Sequence, residues 1–252
     1  MFIVRIILAV IFLLSSYLPA RALDASPFNT QSAEISHGGW WTLFYDSAYD
    51  RNSSYIAAPF AELRYTFNDK LRLGLLTSLT YAEAEGASAF GLSNLIVTTE
   101  YEVYDFEKHD FLRIAGHEII DHAAVFFNQS IPTSHNSLLG NSDYSFNTGL
   151  EWQRTVTKHA GLYSEWGYSY DGDGSHSLLY NNSIALEIHH WIQPYCELLG
   201  RTNFSSGDTS LILAPGISFL HGNGYHSYFS PLVGLTNDDF DWGFQVAFLG
   251  TI

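Results

Sequence analysis

Seven glutamates and three arginines stand out by type and by setting: Glu62, Arg64, Arg72, Glu100, Glu102, Glu151, Glu165, Glu187, Glu197 and Arg201. Most sit between apolar or aromatic neighbours, as in Leu71-Arg72-Leu73 and Leu150-Glu151-Trp152. On extended backbone, successive side chains point to opposite faces, so these charges share a face and their neighbours take the other. Two roles follow. Paired across strands, the charges would form ladders that plug or stiffen a narrow interior. Unpaired, they would line a watery path. Seven carboxylates cannot all be matched by three guanidinium groups, so the pattern predicts an acid-lined, partly filled lumen that disfavours anions.

Three other clusters suggest chemistry and then lose it on spacing. His117-Glu118-Ile119-Ile120-Asp121-His122 approximates the H-E-x-x-H zinc motif. That motif needs two histidines four apart on one helical face, whereas these are five apart in a strand-like run and point opposite ways. A position near an interface or a bulge suits them better. The adjacent His189 and His190 diverge for the same reason. Asp171-Gly172-Asp173-Gly174 echoes the start of a calcium loop without its remaining ligands or closing Glu. No metal and no cofactor is expected. Lipid hydrolysis at a barrel rim would need a Ser beside a His on neighbouring strands. His176, Ser177 and Ser210 are the nearest ingredients, yet no nucleophile–base–orienter set can be assembled from them.

The elements that must hold the charges are strands. Between Ser142 and Tyr170 every second residue gives Tyr144, Phe146, Thr148, Leu150 and Trp152. After a polar reversal at Thr157, Lys158 and His159 the rhythm resumes with Leu162, Ser164, Trp166, Tyr168 and Tyr170. This is a β-hairpin with one greasy and one polar face. Its greasy face ends in Tyr and Trp, which membrane–water interfaces favour. The same alternation recurs along the chain and predicts strands near Gly39–Asp46, Tyr55–Phe67, Lys70–Ala82, Leu92–Tyr104, Phe111–Phe127, Ser177–His190, Gln193–Phe204, Ser210–Leu220, Tyr225–Leu235 and Phe240–Ile252. With the opening hairpin that makes twelve, an even number. Connections 2–3, 4–5, 6–7, 8–9 and 10–11 read as tight turns, and the longest loops fall among the others. The apolar faces carry almost no charge; one Lys or Arg at mid-bilayer there would cost about 2–4 kcal/mol. The fold expected is all-β: a transmembrane antiparallel up-and-down β-barrel over residues 39–252, closed because an open sheet leaves edge groups unpaired in lipid.

The N-terminus supplies the compartment. Arg5, the apolar run Ile6–Leu14 and the Ala20-Arg21-Ala22 site read as a signal peptide over residues 1–22. Residues 23–38 form a polar periplasmic lead-in. Cleavage would remove Arg5 and Arg21 from 11 basic residues, leaving 9 against 26 acidic ones and a net charge of −17. That balance excludes nucleic acid as a partner. An aromatic content of 16% with only 15% charged residues excludes disorder. The lone Cys196 forms no internal disulfide, so backbone ladders must hold the exported fold. The expected location is the outer membrane of a Gram-negative bacterium. The expected partners are its lipid and lipopolysaccharide, the barrel-assembly machinery and a small-molecule cargo not specified by these patterns.

A family likeness accompanies these patterns. Ile131-Pro132-Thr133 followed by Leu139-Gly140-Asn141-Ser142-Asp143 through Gly149-Leu150 resembles the P-T-G … L-G-[TS]-G-x-x-D-x-x-x-G-L stretch of the outer-membrane MetA-pathway phenol-degradation proteins. Gly91-Leu92-Ser93-Asn94-Leu95 is similar to that family's G-[LF]-[GS]-D-L, and Pro231-Leu232-Val233-Gly234 to its late P-x-x-G. Ser134 stands in place of a glycine, Asn94 in place of an acid, and Ile252 in place of a terminal Phe. The resemblance implies a barrel passing small, often apolar or aromatic compounds and carries no catalytic residues. An enzyme is not expected. A closed structural or adhesive barrel is the alternative, and an outer-membrane lipid hydrolase a further one.

Overall fold

A computed structural model describes residues 38–251, apart from 50–52, 69, 85, 106–112, 115–116, 119, 141–142, 158, 222–223 and 237–239. The expected signal peptide and nearly all of the lead-in lie outside the described residues. The strands are β1 (Gly38–Tyr49), β2 (Ser53–Phe67), β3 (Leu71–Ala84), β4 (Ala87–Leu92), β5 (Leu95–Asp105), β6 (Arg113–Ile114), β7 (His117–Glu118), β8 (His122–Ile131), β9 (Ser145–Thr157), β10 (Ala160–Tyr170), β11 (His176–Leu186), β12 (Ile192–Asn203), β13 (Thr209–Leu220), β14 (His226–Gly234) and β15 (Trp242–Thr251). Each large strand pairs antiparallel with its sequence neighbour, and β1 pairs with β15, which closes the sheet. β4 and β5 both pair with β3 and form one wall strand, interrupted at Ser93 and Asn94, so the barrel has twelve.

Alternation decides which face looks inward. In β3, Arg72, Gly74, Ser78, Thr80 and Ala82 are buried while Leu73, Leu75 and Leu79 are exposed. Leu63, Tyr65, Phe67, Tyr101, Val103, Phe127 and Phe248 are exposed in the same way on other strands. Polar-in, apolar-out inverts the soluble rule and suits a wall solvated by hydrocarbon. Aromatic pairs such as Tyr49–Trp242 (ring centroids 4.5 Å apart) and Tyr45–Phe244 (5.1 Å) stack along the outer surface. Inside, an apolar cluster of Tyr163, Ala185, Tyr195, Tyr228 and Ala247 is backed by Phe44 and Leu249. Tyr195 lies across Gly216, its cross-strand partner, and a Cβ there would collide with the ring. An aromatic covering a strand glycine fills a site that offers no side chain of its own.

Several expected boundaries are corrected. The fifth wall strand is His122–Ile131, not Phe111–Phe127; Arg113–Ile114 and His117–Glu118 form a separate two-stranded hairpin. The 4–5 connection is therefore long, and the expected turn at Glu107-Lys108-His109 lies outside the described residues. Conversely, the loop expected over Glu83–Ala89 is mostly strand, with Ala84 pairing Ala87 and Gly86 at φ +80°. Alternating short and long connections thus hold less strictly than the sequence suggested. Four turns do remain tight, at Asn68 (φ +44°), between Thr157 and Ala160, between Leu186 and Ile192, and between Leu220 and His226. They mark one end of the barrel, called the turn end below; the other is the loop end.

Candidate functional site

Of the charged residues singled out by spacing, Glu62, Arg72, Glu100, Glu102, Glu151, Glu165 and Glu197 are buried, and β2, β3 and β5 bring the first group together. Register sets Arg72 directly opposite Glu100 and Arg64 opposite Gly74, which leaves room for the longer side chain. Arg64 binds Glu62 through Nε and Glu100 Oε1 through Nη1 at 3.0 Å, while Arg72 holds Glu100 Oε2. The Arg72 guanidinium also lies 5.2 Å from the Trp40 ring centroid. Next to this network, Glu102 Oε1 lies 3.1 Å from His122 Nδ1 at the start of β8, with Asp105 4.0 Å away. A buried charge needs a partner and further hydrogen bonds, and this wall supplies both.

The opposite wall is different. Glu151 on β9 and Glu165 on β10 are cross-strand partners, and Glu197 follows on β12. Glu165 receives one amide hydrogen bond, from Asn181 Nδ2 at 3.3 Å. Among the described residues, Glu151 Oε2 has no hydrogen-bond partner. Burial is nearly complete: 1% exposure for Glu100 and Glu151 and 0% for Glu197. Side chains therefore fill the interior at this level. Towards the loop end the Arg201 side chain is 43% exposed. Arg201 pairs with Asp171 and donates to Ser177 Oγ at 3.1 Å. Glu187, in contrast, belongs to the turn end, where its Oε2 lies 3.5 Å from His159 Nδ1.

The loop after β8 folds onto the inner face at the loop end. Asn94 Oδ1 accepts the backbone N–H groups of Thr133 (3.3 Å) and Ser134 (3.2 Å). Thr133 Oγ1 accepts from Leu95 N and donates to the Ser93 carbonyl. Leu139 packs on Ala82 and Ala89, an inward-facing pair of β3 and β4, and Gly140 sits against the Asn94 amide. The segments that carried the family likeness, around residues 91–95, 131–134 and 139–140, thus meet in space. Spacing alone had given Asn94, His122, Trp40 and Asp171 no site role.

The remaining clusters are divided among separate elements and partners. His117 lies in the β6–β7 hairpin and His122 in the barrel wall, on separate elements. Among the described residues, no group of three or more His, Cys, Asp or Glu is placed to hold a metal. His189 and His190 stack on each other in a turn. In the 171–175 loop, Ser175 N donates to Asp173 Oδ1 at 2.7 Å, and that bond holds the Asp173 carboxyl below its usual pKa. His176 bonds Tyr168 Oη, while its neighbour Ser177 takes Arg201. Adjacent in sequence, the two serve different partners.

A closed twelve-strand antiparallel barrel, apolar outside and charged within, has the architecture of an outer-membrane β-barrel. Solved structures that it resembles share this fold. The COG4313 outer membrane channel from Pseudomonas putida F1 matches with a TM-score of 0.62 at 12% identity, covering 91% of this chain and 100% of that one. The KdgM porin, solved in complex with disordered oligogalacturonate, matches at 0.56 and 10% identity over 84% and 99%. The NanC porin matches at 0.54 and 8% identity over 83% and 99%. No family model matches the chain, and no curated protein matches it in sequence.

Proposed function

We propose that this protein is an outer-membrane channel for small solutes, exported by an N-terminal signal peptide over residues 1–22, that admits neutral and cationic solutes ahead of anions. The observation that carries this reading is the surplus of buried carboxylates: Glu100, Glu151 and Glu197 are almost fully buried, Glu151 lies directly opposite Glu165 across the β9–β10 ladder, and Arg64 and Arg72 bind Glu62 and Glu100. A surplus of one sign in a low-dielectric wall repels like-charged solutes. The motif likeness to MetA-pathway phenol-degradation proteins supplies the cargo class, small and apolar or aromatic, and the interior cluster around Tyr195 and Tyr228 offers it a surface. The partners of this reading are lipopolysaccharide and lipid on the outer wall and the barrel-assembly machinery during insertion.

Near-complete burial of Glu100, Glu151 and Glu197 favours a second reading, a closed structural barrel. Planar bilayers separate the two. The channel reading expects discrete conductance steps and a reversal potential of cation-preferring sign under a salt gradient. A silent, stably inserted protein would leave the closed barrel.

A further inference from the structure

The lipid-facing side of β10 and β11 carries a polar cluster. On β10, Ser164 and Trp166 alternate with Tyr163 and Glu165, which are buried inside the barrel. Ser164 therefore points outward, and so does Asn182, its ladder partner on β11. The preceding Asn181 reaches Glu165 on the inner face. Trp166 Nε1 donates to Ser164 Oγ (2.9 Å), and Ser164 Oγ donates to Asn182 Oδ1 (2.7 Å). An indole N–H can only donate, so it makes the hydroxyl an acceptor and leaves the hydroxyl proton for the amide oxygen. These bonds set the amide with Oδ1 towards Ser164 and Nδ2 away from it. Among the described residues, Asn182 Nδ2 has no hydrogen-bond partner.

Depth makes this amide unusual. Asn182 stands six residues past His176 and four before Leu186, roughly 20 and 13 Å along the strand. An outer-membrane wall presents an apolar band about 25 Å tall, so the amide lies far from either aqueous edge. Hydrocarbon offers no acceptor, and an unmet N–H there is costly. Outward hydroxyls elsewhere are spent on their own sheet. Ser47 Oγ donates to the Phe244 carbonyl (3.2 Å), and Thr148 Oγ1 to that of Phe126 (2.9 Å).

The surroundings let another wall come close. Leu198 faces Asn182 across the β11–β12 ladder, and two residues further on the Tyr180 ring covers Gly200. The exposed Trp166 ring lies 6.0 Å from that of Tyr180, centroid to centroid. Small residues such as Ser164 and Gly200 allow close approach between elements in a membrane. We propose that this face of β10–β12 is the contact between two copies of the chain in the membrane, related by a two-fold axis beside Asn182. Across such an axis the patch meets itself. Each Asn182 donates through Nδ2 to Oδ1 of the partner's Asn182, which has a second lone pair to accept it. A lipid tail supplies neither donor nor acceptor; a second copy supplies both. The pairing needs only the apolar outside of the wall and is independent of conduction along the axis.

The test counts copies. The purified parent and its variants N182L, N182A and Q129L are compared by sedimentation equilibrium in density-matched detergent. Stepwise photobleaching of end-labelled protein in phospholipid vesicles repeats the count in lipid. Heat-modifiable gel mobility checks that each variant is folded, and both Leu and Ala suit a lipid-facing position. Gln129 is an outward amide two residues from the end of β8 and serves as the control. The parent should form dimers. N182L and N182A should raise the dimer dissociation constant at least about tenfold, and Q129L should leave it within about twofold. A parent that sediments and bleaches as a monomer overturns the pairing. So does a dimer that N182L and N182A leave intact, or that Q129L weakens as much.

Discussion

Glu151 and Glu165 face one another across the β9–β10 ladder, and both are buried. Like charges directly opposite destabilise a sheet by a few tenths to about 1 kcal/mol. That cost is retained in the centre of the wall that defines the proposed selectivity. E151Q should therefore raise the midpoint of denaturant unfolding in detergent, by about 1 kcal/mol, and shift the reversal potential toward zero. A more stable protein with unaltered ion preference would remove this pair from the selectivity argument.

The Arg72–Glu100 pair should behave in the opposite sense. Both are almost fully buried, and Glu100 takes one arginine partner, Arg72, from the adjacent strand β3 and the other, Arg64, from β2, one strand further on. R72A leaves a carboxylate with half its compensation and should cost about 3 kcal/mol. R72A/E100A should cost less than the sum of the two single variants, by at least about 1 kcal/mol of coupling. Urea titration of heat-modifiable gel mobility would measure the cycle; additive effects would show that the pair does not act as a unit.

Asn94 ties the loop after β8 to the inner wall by accepting two backbone amides through one oxygen. N94A removes the one oxygen that accepts both amides and should release the loop at a cost of about 2 kcal/mol. Hydrogen exchange at Thr133 and Ser134 would quicken by about thirtyfold, with larger conductance steps. N94D retains an acceptor and should keep the loop docked. If N94A and N94D behave alike, the two amides are held by something else.

The extent to which this molecule could be read from its sequence differs from strand to strand. The period of two in Leu71–Tyr81 and Tyr144–Tyr170 exposes the wall directly, because lipid enforces an uncharged face at every second residue. Phe111–Phe127 misled, since its apolar residues run without alternation and the wall strand begins only at His122. The burial of Glu100, Glu151 and Glu197 was to be expected because Glu is costly on the other face. Its pairing was not: Arg64 reaches Glu100 at a separation of 36 residues, a relation fixed by ladder register. Asn94 was visible only as a departure from a motif, its partners being 39 and 40 residues away.

The mouth at the loop end offers a pair of changes with opposite signs. Arg201 pairs with Asp171 and Ser177, and its side chain is the accessible cation of an otherwise acidic set. D171N removes the neutralising carboxylate and leaves the guanidinium to attract anions at the mouth. R201A removes the cation and leaves Asp171 to repel them. Because the pair is partly solvated, either variant should change stability by less than about 1 kcal/mol, so selectivity can be read without a folding defect. Entry of a singly charged anion into proteoliposomes should rise with D171N and fall with R201A, relative to a neutral solute of equal size. Both effects should shrink in 1 M salt, where the Debye length is about 3 Å. Shifts of the same sign in the two variants would mean that pore width, not mouth charge, had been altered.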